Sequence, residues 1–139
     1  MIPRRGTDNA EPTHPQKAKK EVSRITLGSI FLCAFDPTVG HEIKKTRPAL
    51  VIQNDAGNRC NRVTIVAAIR STLSPVPYPV EVPIEASHAN GLTVRSAIRL
   101  DQIRSIDRQH LIRRLGAAEP AVMTRVDEAL KISLGLIRF

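Results

Sequence analysis

The chain contains no tryptophan, one tyrosine and three phenylalanines among its 139 residues. Such a shortage weighs against a nucleic-acid platform of the RRM kind, in which successive bases stack on aromatic rings. Cys33 and Cys60 are the only cysteines. They form no C-x-x-C pair, and Cys33 falls inside an apolar strand pattern. Both therefore read as reduced thiols of a cytosolic protein, with Cys33 as core packing. No apolar run approaches the length of a membrane span. The N-terminus carries charges but no apolar segment of the secretory kind. Clustered histidines are missing too: His14 falls in the tail, and His88 and His110 in predicted turns, so no metal centre is expected. His41-Glu42-Ile43-Lys44-Lys45 begins like a zinc-protease motif but lacks the second histidine. The expected set of cofactors is empty, and no membrane partner is expected. Acidic residues are also scarce, with 13 Asp and Glu against 21 Lys and Arg, a net charge of +8 and a pI near 10.3. That balance points to a polyanion such as nucleic acid, or to an acidic protein.

The length suits one domain with a modest core. Residues 1–24 hold prolines, scattered charges with basic ones in excess, and almost no aliphatics. They are expected to be a disordered basic extension, because they cannot bury enough apolar surface to offset ordering entropy. Residues 25–139 are expected to form the folded domain. Ile25 to Phe35 reads as a first strand and Pro48 to Gln53 as a second. Asn54 to Asn61 reads as a loop by its Asn, Asp and Gly content. Arg62 to Ile69 is a third strand, almost wholly apolar and so expected to be buried on both sides. Arg70 to Pro79 is a proline-rich loop. Val80 to Ile84 alternates around Glu81 as a half-exposed strand at an edge. Ala97 to Gln102 is a further strand, Asp107 to Ile112 a short helical turn, and Leu111 to Ala117 a last strand. Pro120 suits the first position of a helix. Val122, Val126, Ala129 and Leu130 recur at helical spacing, and Gly135 is placed as the left-handed cap. Many short strands with one amphipathic C-terminal helix predict a mainly β fold, a small barrel with a helix.

One stretch organises the rest. Asp36-Pro37 stops the first strand, Gly40 permits a sharp turn, and His41, Glu42, Lys44, Lys45 and Arg47 follow before Pro48 starts the next strand. A polar loop between two buried strands is a common place for binding and catalytic groups. Asp36-Pro37-Thr38-Val39-Gly40-His41-Glu42, Thr46-Arg47-Pro48 and Gln53-Asn54-Asp55 together resemble the signature of the MazF/PemK (Kid) family, toxins of type II toxin–antitoxin pairs. Two later blocks extend the resemblance, one from Arg99 to Asp107 and one from Val126 to Leu136. The resemblance implies an SH3-like barrel with a helical addition. It also implies a cytoplasmic homodimer acting as an mRNA interferase, a sequence-specific endoribonuclease neutralised by a cognate antitoxin.

Arg99 and Asp101 stand two apart on a predicted strand, so both point to one face while Ile98 and Leu100 point to the other. Spacing alone divides the reading between an exposed salt bridge of little energetic value and a site. The resemblance favours the site, because in the Kid branch the matching arginine and aspartate act with the histidine found here as His41. Metal-independent RNA cleavage needs a base for the ribose 2′-hydroxyl, positive charge at the pentavalent phosphate and an acid for the leaving 5′-oxygen. Asp101 is the candidate base. Arg99 is the candidate phosphate clamp, since guanidinium does not readily give up its proton. His41 is the candidate acid, because imidazole as a class titrates near neutral pH. The products implied are a 2′,3′-cyclic phosphate and a 5′-hydroxyl.

Arg47 is a further catalytic candidate, matching the arginine of the MazF branch. The threonine that assists it there is replaced here by Arg70, a departure from the family. Glu42, Lys44, Lys45, Thr46, Arg59, Arg70 and Ser71 are the expected contacts to single-stranded RNA. An acidic antitoxin is the expected protein partner. Two rival readings remain at this point: a gyrase poison of the same fold, like CcdB, and a non-catalytic RNA-binding barrel. The first lacks support from the C-terminus, which ends Leu136-Ile137-Arg138-Phe139 without the Trp-Gly-Ile type of sequence. The second has no use for the Arg99 and Asp101 pair.

Overall fold

The computed structural model describes residues 24–35, 45–76 and 78–138. Among the described residues six strands run in order: β1 (Ser29–Phe35), β2 (Lys45–Val51), β3 (Val63–Arg70), β4 (Glu81–Ile84), β5 (Ser96–Asp107) and β6 (Leu111–Ala117). A short helix α1 (Asp55–Cys60) joins β2 to β3, a 3-10 turn (Arg108–His110) joins β5 to β6, and α2 (Pro120–Ser133) closes the series. The strands form one antiparallel sheet in the order β4-β5-β3-β2-β1-β6. Among the described residues no helix is long and apolar enough to cross a membrane.

Alternation along the strands divides the apolar residues between two faces. Ile30, Leu50, Ala67, Ile69, Ile98 and Leu100 gather with Val82 and Ile84 under α2. That helix contributes Val122, Val126 and Ala129, spaced four and three apart, so they fall on one stripe. Their neighbours on the strands, Phe31, Cys33, Ala49, Val51 and Val66, form the second cluster with Ile106 and Leu111. Each fully buried Ile, Leu or Phe here contributes about 1.5–3 kcal/mol relative to exposure.

Both ends of α2 follow from local chemistry. Pro120 sits at its start, after Glu119, which makes no side-chain capping bond. At the other end Gly135 takes φ +73°. The Gly135 N–H then donates to Ile132 O at 3.1 Å and the Leu136 N–H to Lys131 O at 2.8 Å. This is a Schellman cap, and it satisfies carbonyls that the helix leaves open.

The strand ladder does not close into a barrel, because β4 and β6 remain the two edges. The edges nevertheless touch at one end. The Ala117 N–H donates to Ala89 O at 3.0 Å. A Cβ on Gly116 would lie 2.2 Å from Ala89 O, and one on Gly91 2.1 Å from Leu115 O. The segment after β4 therefore meets β6 backbone to backbone, and the curled sheet is barrel-like.

Several expected boundaries move. The stretch 54–61, expected as a loop, contains α1. Asn54 Oδ1 caps it by accepting from the Gly57 N–H at 2.8 Å. Buried Asn58 holds it, with Oδ1 accepting from Thr64 Oγ1 at 2.7 Å and from Gln53 Nε2 at 3.0 Å. β1 begins at Ser29, later than expected. β2 begins at Lys45, earlier than expected, with Pro48 inside it opposite Leu32. The ladder to β3 starts only at Ala49, so β2 has a partner on one side alone at the proline, where a missing N–H is tolerated. β5 runs on through Asp107 and does not stop at Gln102.

The candidate active site

β5 is irregular where the chemistry was expected. Ala67 pairs with Ile103, but the next residue, Ala68, pairs with Arg99. Leu100, Asp101 and Gln102 thus bulge out of the ladder to β3. The backbone of buried Leu100 is served elsewhere, as buried polar groups require. The Leu100 N–H donates to Val80 O at 2.8 Å, and Leu100 O accepts from the Ser133 hydroxyl at 2.6 Å. Bulges of this kind re-aim side chains and recur beside active sites.

Arg99 stands between Ala68 on β3 and Glu81 on β4. Its Nε donates to Asp101 Oδ1 at 3.1 Å and its Nη2 to Asp101 Oδ2 at 2.8 Å. This is the bidentate arrangement that a planar guanidinium makes with a carboxylate. Nη1 lies 3.7 Å from Glu81 Oε1. The Tyr78 ring lies against the guanidinium, 5.3 Å from its carbon to the ring centroid, a distance at which cation–π attraction operates. Hydrogen bonding from Arg99 holds the Asp101 carboxyl below its ordinary range, against the opposing effect of partial burial. The reciprocal bond raises Arg99 further.

Ala68 and Ala49 face each other across β3 and β2, so Arg47 and Arg70 lie two residues on, along the same face as Arg99. Strand spacing puts the Arg47 and Arg99 Cα atoms on the order of 12 Å apart. Arg70 Nε donates to Gln102 Oε1 in the bulge at 2.7 Å. The arginine at the family's threonine position is thereby tied beside Asp101. Ser71, just past β3, is exposed, as is Thr46. Arg104 shares this face by its pairing with Val66 and stacks on Phe35 at 5.2 Å. Beneath, burial pushes the Cys33 thiol up to about 12, with the Arg104 charge acting weakly in the opposite sense.

Arg59 is not brought to this centre. It occupies the last turn of α1, where β3 begins, and Arg99 pairs five residues further along β3 from Val63. His41, Glu42 and Lys44 lie outside the described residues. So does the side chain of Lys45, whose backbone opens β2 opposite Phe35.

Sequence reasoning missed Glu81, Ser74, Tyr78 and Gln102. Glu81 was expected on a half-exposed strand, yet its side chain is only 5% exposed. The signal was there in part, as one acid among Val80, Val82 and Ile84. Its arginine partner was hidden, because pairing between strands is not written in local sequence.

These features define a small basic β protein with an arginine–carboxylate centre open to a polyanion. Residues 26–134 match the family described as PemK-like, MazF-like toxin of type II toxin–antitoxin system. The chain belongs to that family. It is 43% identical over 115 residues to endoribonuclease EndoA of Bacillus subtilis (strain 168), covering 83% of this chain and 98% of that one. It is 38% identical over 115 residues to endoribonuclease MazF of Staphylococcus epidermidis, covering 83% and 95%. Among solved structures, MazE–MazF (Form-II) from Deinococcus radiodurans superposes with a TM-score of 0.68 at 28% identity, covering 81% of this chain and 97% of that one.

Proposed function

We propose that this protein is a metal-independent endoribonuclease that cuts single-stranded RNA at chosen sequences and leaves 2′,3′-cyclic phosphate and 5′-hydroxyl ends. The observation that carries the reading is the bidentate Arg99–Asp101 pair, set on the β5 bulge in a chain of net charge +8.

Asp101 remains a carboxylate across the neutral range, because Arg99 lowers its affinity for a proton. It is a weak base toward a resting hydroxyl. It accepts the 2′-hydroxyl proton as that oxygen bonds to phosphorus and becomes acidic. Arg99 still has N–H donors that Asp101 does not use, and these meet the charge growing on the phosphate. His41 delivers a proton to the departing 5′-oxygen. Arg47, Arg70 and Arg104 line the approach of the phosphate backbone.

The working form is inferred to be a cytoplasmic homodimer. An acidic antitoxin is inferred to cover the same basic face, as the MazE–MazF pairing of the Deinococcus structure suggests. The test is incubation of the purified protein with a long RNA in EDTA, followed by mapping of both new ends. Cyclic phosphate and 5′-hydroxyl ends are expected, with cutting by Asp101→Asn slower by about 100-fold or more. Cutting that EDTA abolishes and a divalent ion restores, on an RNA whose own fold is unchanged, would overturn the reading.

A further inference from the structure

We propose that Glu81 is the positioning residue for Arg99 and the point at which the 71–80 loop is fastened to the site. The proposal rests on the RNA-cleaving reading above and deepens it.

A carboxylate that is 5% exposed must have its charge and lone pairs satisfied. For Glu81 the loop and β5 share that task. Oε2 accepts from the Ser74 N–H at 2.9 Å, and Oε1 accepts from the Ser74 hydroxyl at 2.7 Å. Both oxygens are therefore claimed by one loop residue, which fixes the plane of the carboxylate. Arg99 Nη1 stands 3.7 Å from Oε1. That separation is too long for a hydrogen bond but short enough for a strong charge interaction in a partly buried setting.

The consequence is directional. Asp101 holds the Nε and Nη2 edge of the guanidinium, Glu81 draws Nη1 toward β4, and Tyr78 covers the flat face. Three contacts fix a planar group in three dimensions, yet neither Nη1 hydrogen is consumed by a hydrogen bond to Glu81. Those hydrogens stay available to a phosphate oxygen. Ser74 and Tyr78 belong to the same loop, so its docking and the aim of Arg99 are coupled through Glu81.

The test uses the full chain and compares wild type with Glu81→Gln, Glu81→Asp and Ser74→Ala. Glu81→Gln keeps an acceptor for Ser74 and removes the charge. Its kcat is expected to fall about 10- to 100-fold, the scale of a misaimed transition-state group, with KM for RNA within about threefold. Glu81→Asp, which keeps the charge, should recover part of the loss. In the free protein the 15N-edited Nε–Hε resonance of Arg99, assigned by its absence in Arg99→Lys, should be distinct in wild type and lose that distinct shift in Glu81→Gln. If Glu81→Gln does not fold, Glu81→Asp and Ser74→Ala supply the same two readouts, with smaller expected changes. A folded Glu81→Gln whose resonance is unmoved overturns the proposal. So does a change confined to KM, which would make Glu81 a loop tether only. If wild type cuts no RNA, the functional reading falls, while the resonance still decides whether Glu81 sets the position of Arg99.

Discussion

Arg99 grips Asp101, two residues away on the same strand, through two parallel hydrogen bonds of 3.1 and 2.8 Å. In a regular strand such neighbours stand roughly 7 Å apart at Cα and lean outward together. Here the bulge at Leu100–Gln102 turns them toward each other.

This pairing sets a pH dependence. The Asp101 carboxyl lies below the ordinary aspartate value of 3.8 in the folded protein. A group with a depressed folded value contributes stability above its unfolded value and loses it as pH falls through the folded one. The Asp101 contribution should therefore be intact above about pH 4 and disappear only in stronger acid. A carboxyl-carbon NMR titration of Asp101 checks this. A midpoint at or above 3.8 would show that the pair does not hold in solution.

Removing either partner should stop RNA cutting, but the two losses differ for the fold. Asp101→Asn is expected to slow single-turnover cleavage about 100-fold or more and to lose only the modest stability that its partly exposed pair with Arg99 contributes. Arg99→Ala should be as inactive and should also cost about 1–3 kcal/mol, because Glu81 is left buried without its cation. Adding Glu81→Gln to Arg99→Ala should return most of that stability and none of the activity. Denaturant unfolding of wild type, Arg99→Ala, Glu81→Gln and the double variant, compared as a double-mutant cycle, gives the answer.

The two thiols should behave in opposite ways. Cys33 is buried, with its thiol pushed up to about 12, while Cys60 is exposed. The thiolate is the reactive form, so a thiol reagent at pH 8 should modify one cysteine in the folded protein and two in denaturant. Peptide mapping should place the fast adduct on Cys60. Rapid modification of Cys33 in folded protein would contradict the packing of β1 against β2.

Two glycines separate steric contact from backbone conformation. Gly116→Ala drives a methyl group into Ala89 O and should cost about 1–3 kcal/mol, as overpacking does. Gly135→Ala meets nothing within 4 Å and suffers only from its φ of +73°, costing about 1 kcal/mol. Thermal melts of the two variants should rank them in that order.

The legibility of the chain followed physical range. α2 was plain because its apolar stripe, its proline start and its glycine stop are all local. The span of β6 was legible for the same reason. α1 was obscured because Asn54, Asp55 and Gly57 are turn formers, and the Asn54 cap with the bonds of Asn58 to Thr64 and Gln53 holds them helical. Alternation on a strand put Arg99 and Asp101 on one face, and the family resemblance made them a site. Glu81, Ser74 and Tyr78 were not, because they reach Arg99 from another strand and its loop. The bulge itself left no sequence mark, since it arises where β5 leaves β3 to meet Val80 and Ser133.

The Ser133 hydroxyl on Leu100 O has a consequence for the order of events during synthesis. Leu100 lies between Arg99 and Asp101, and Ser133 is the last residue of a helix that follows all six strands. A chain emerging from the ribosome releases Arg99 and Asp101 well before that helix, and domains fold as their parts become available. The sheet can pair first and the Leu100 N–H can find Val80 O, but Leu100 O gains its hydroxyl partner only when the final turn of α2 arrives. The carbonyl between the two reactive side chains thus takes its partner from the last element of the fold.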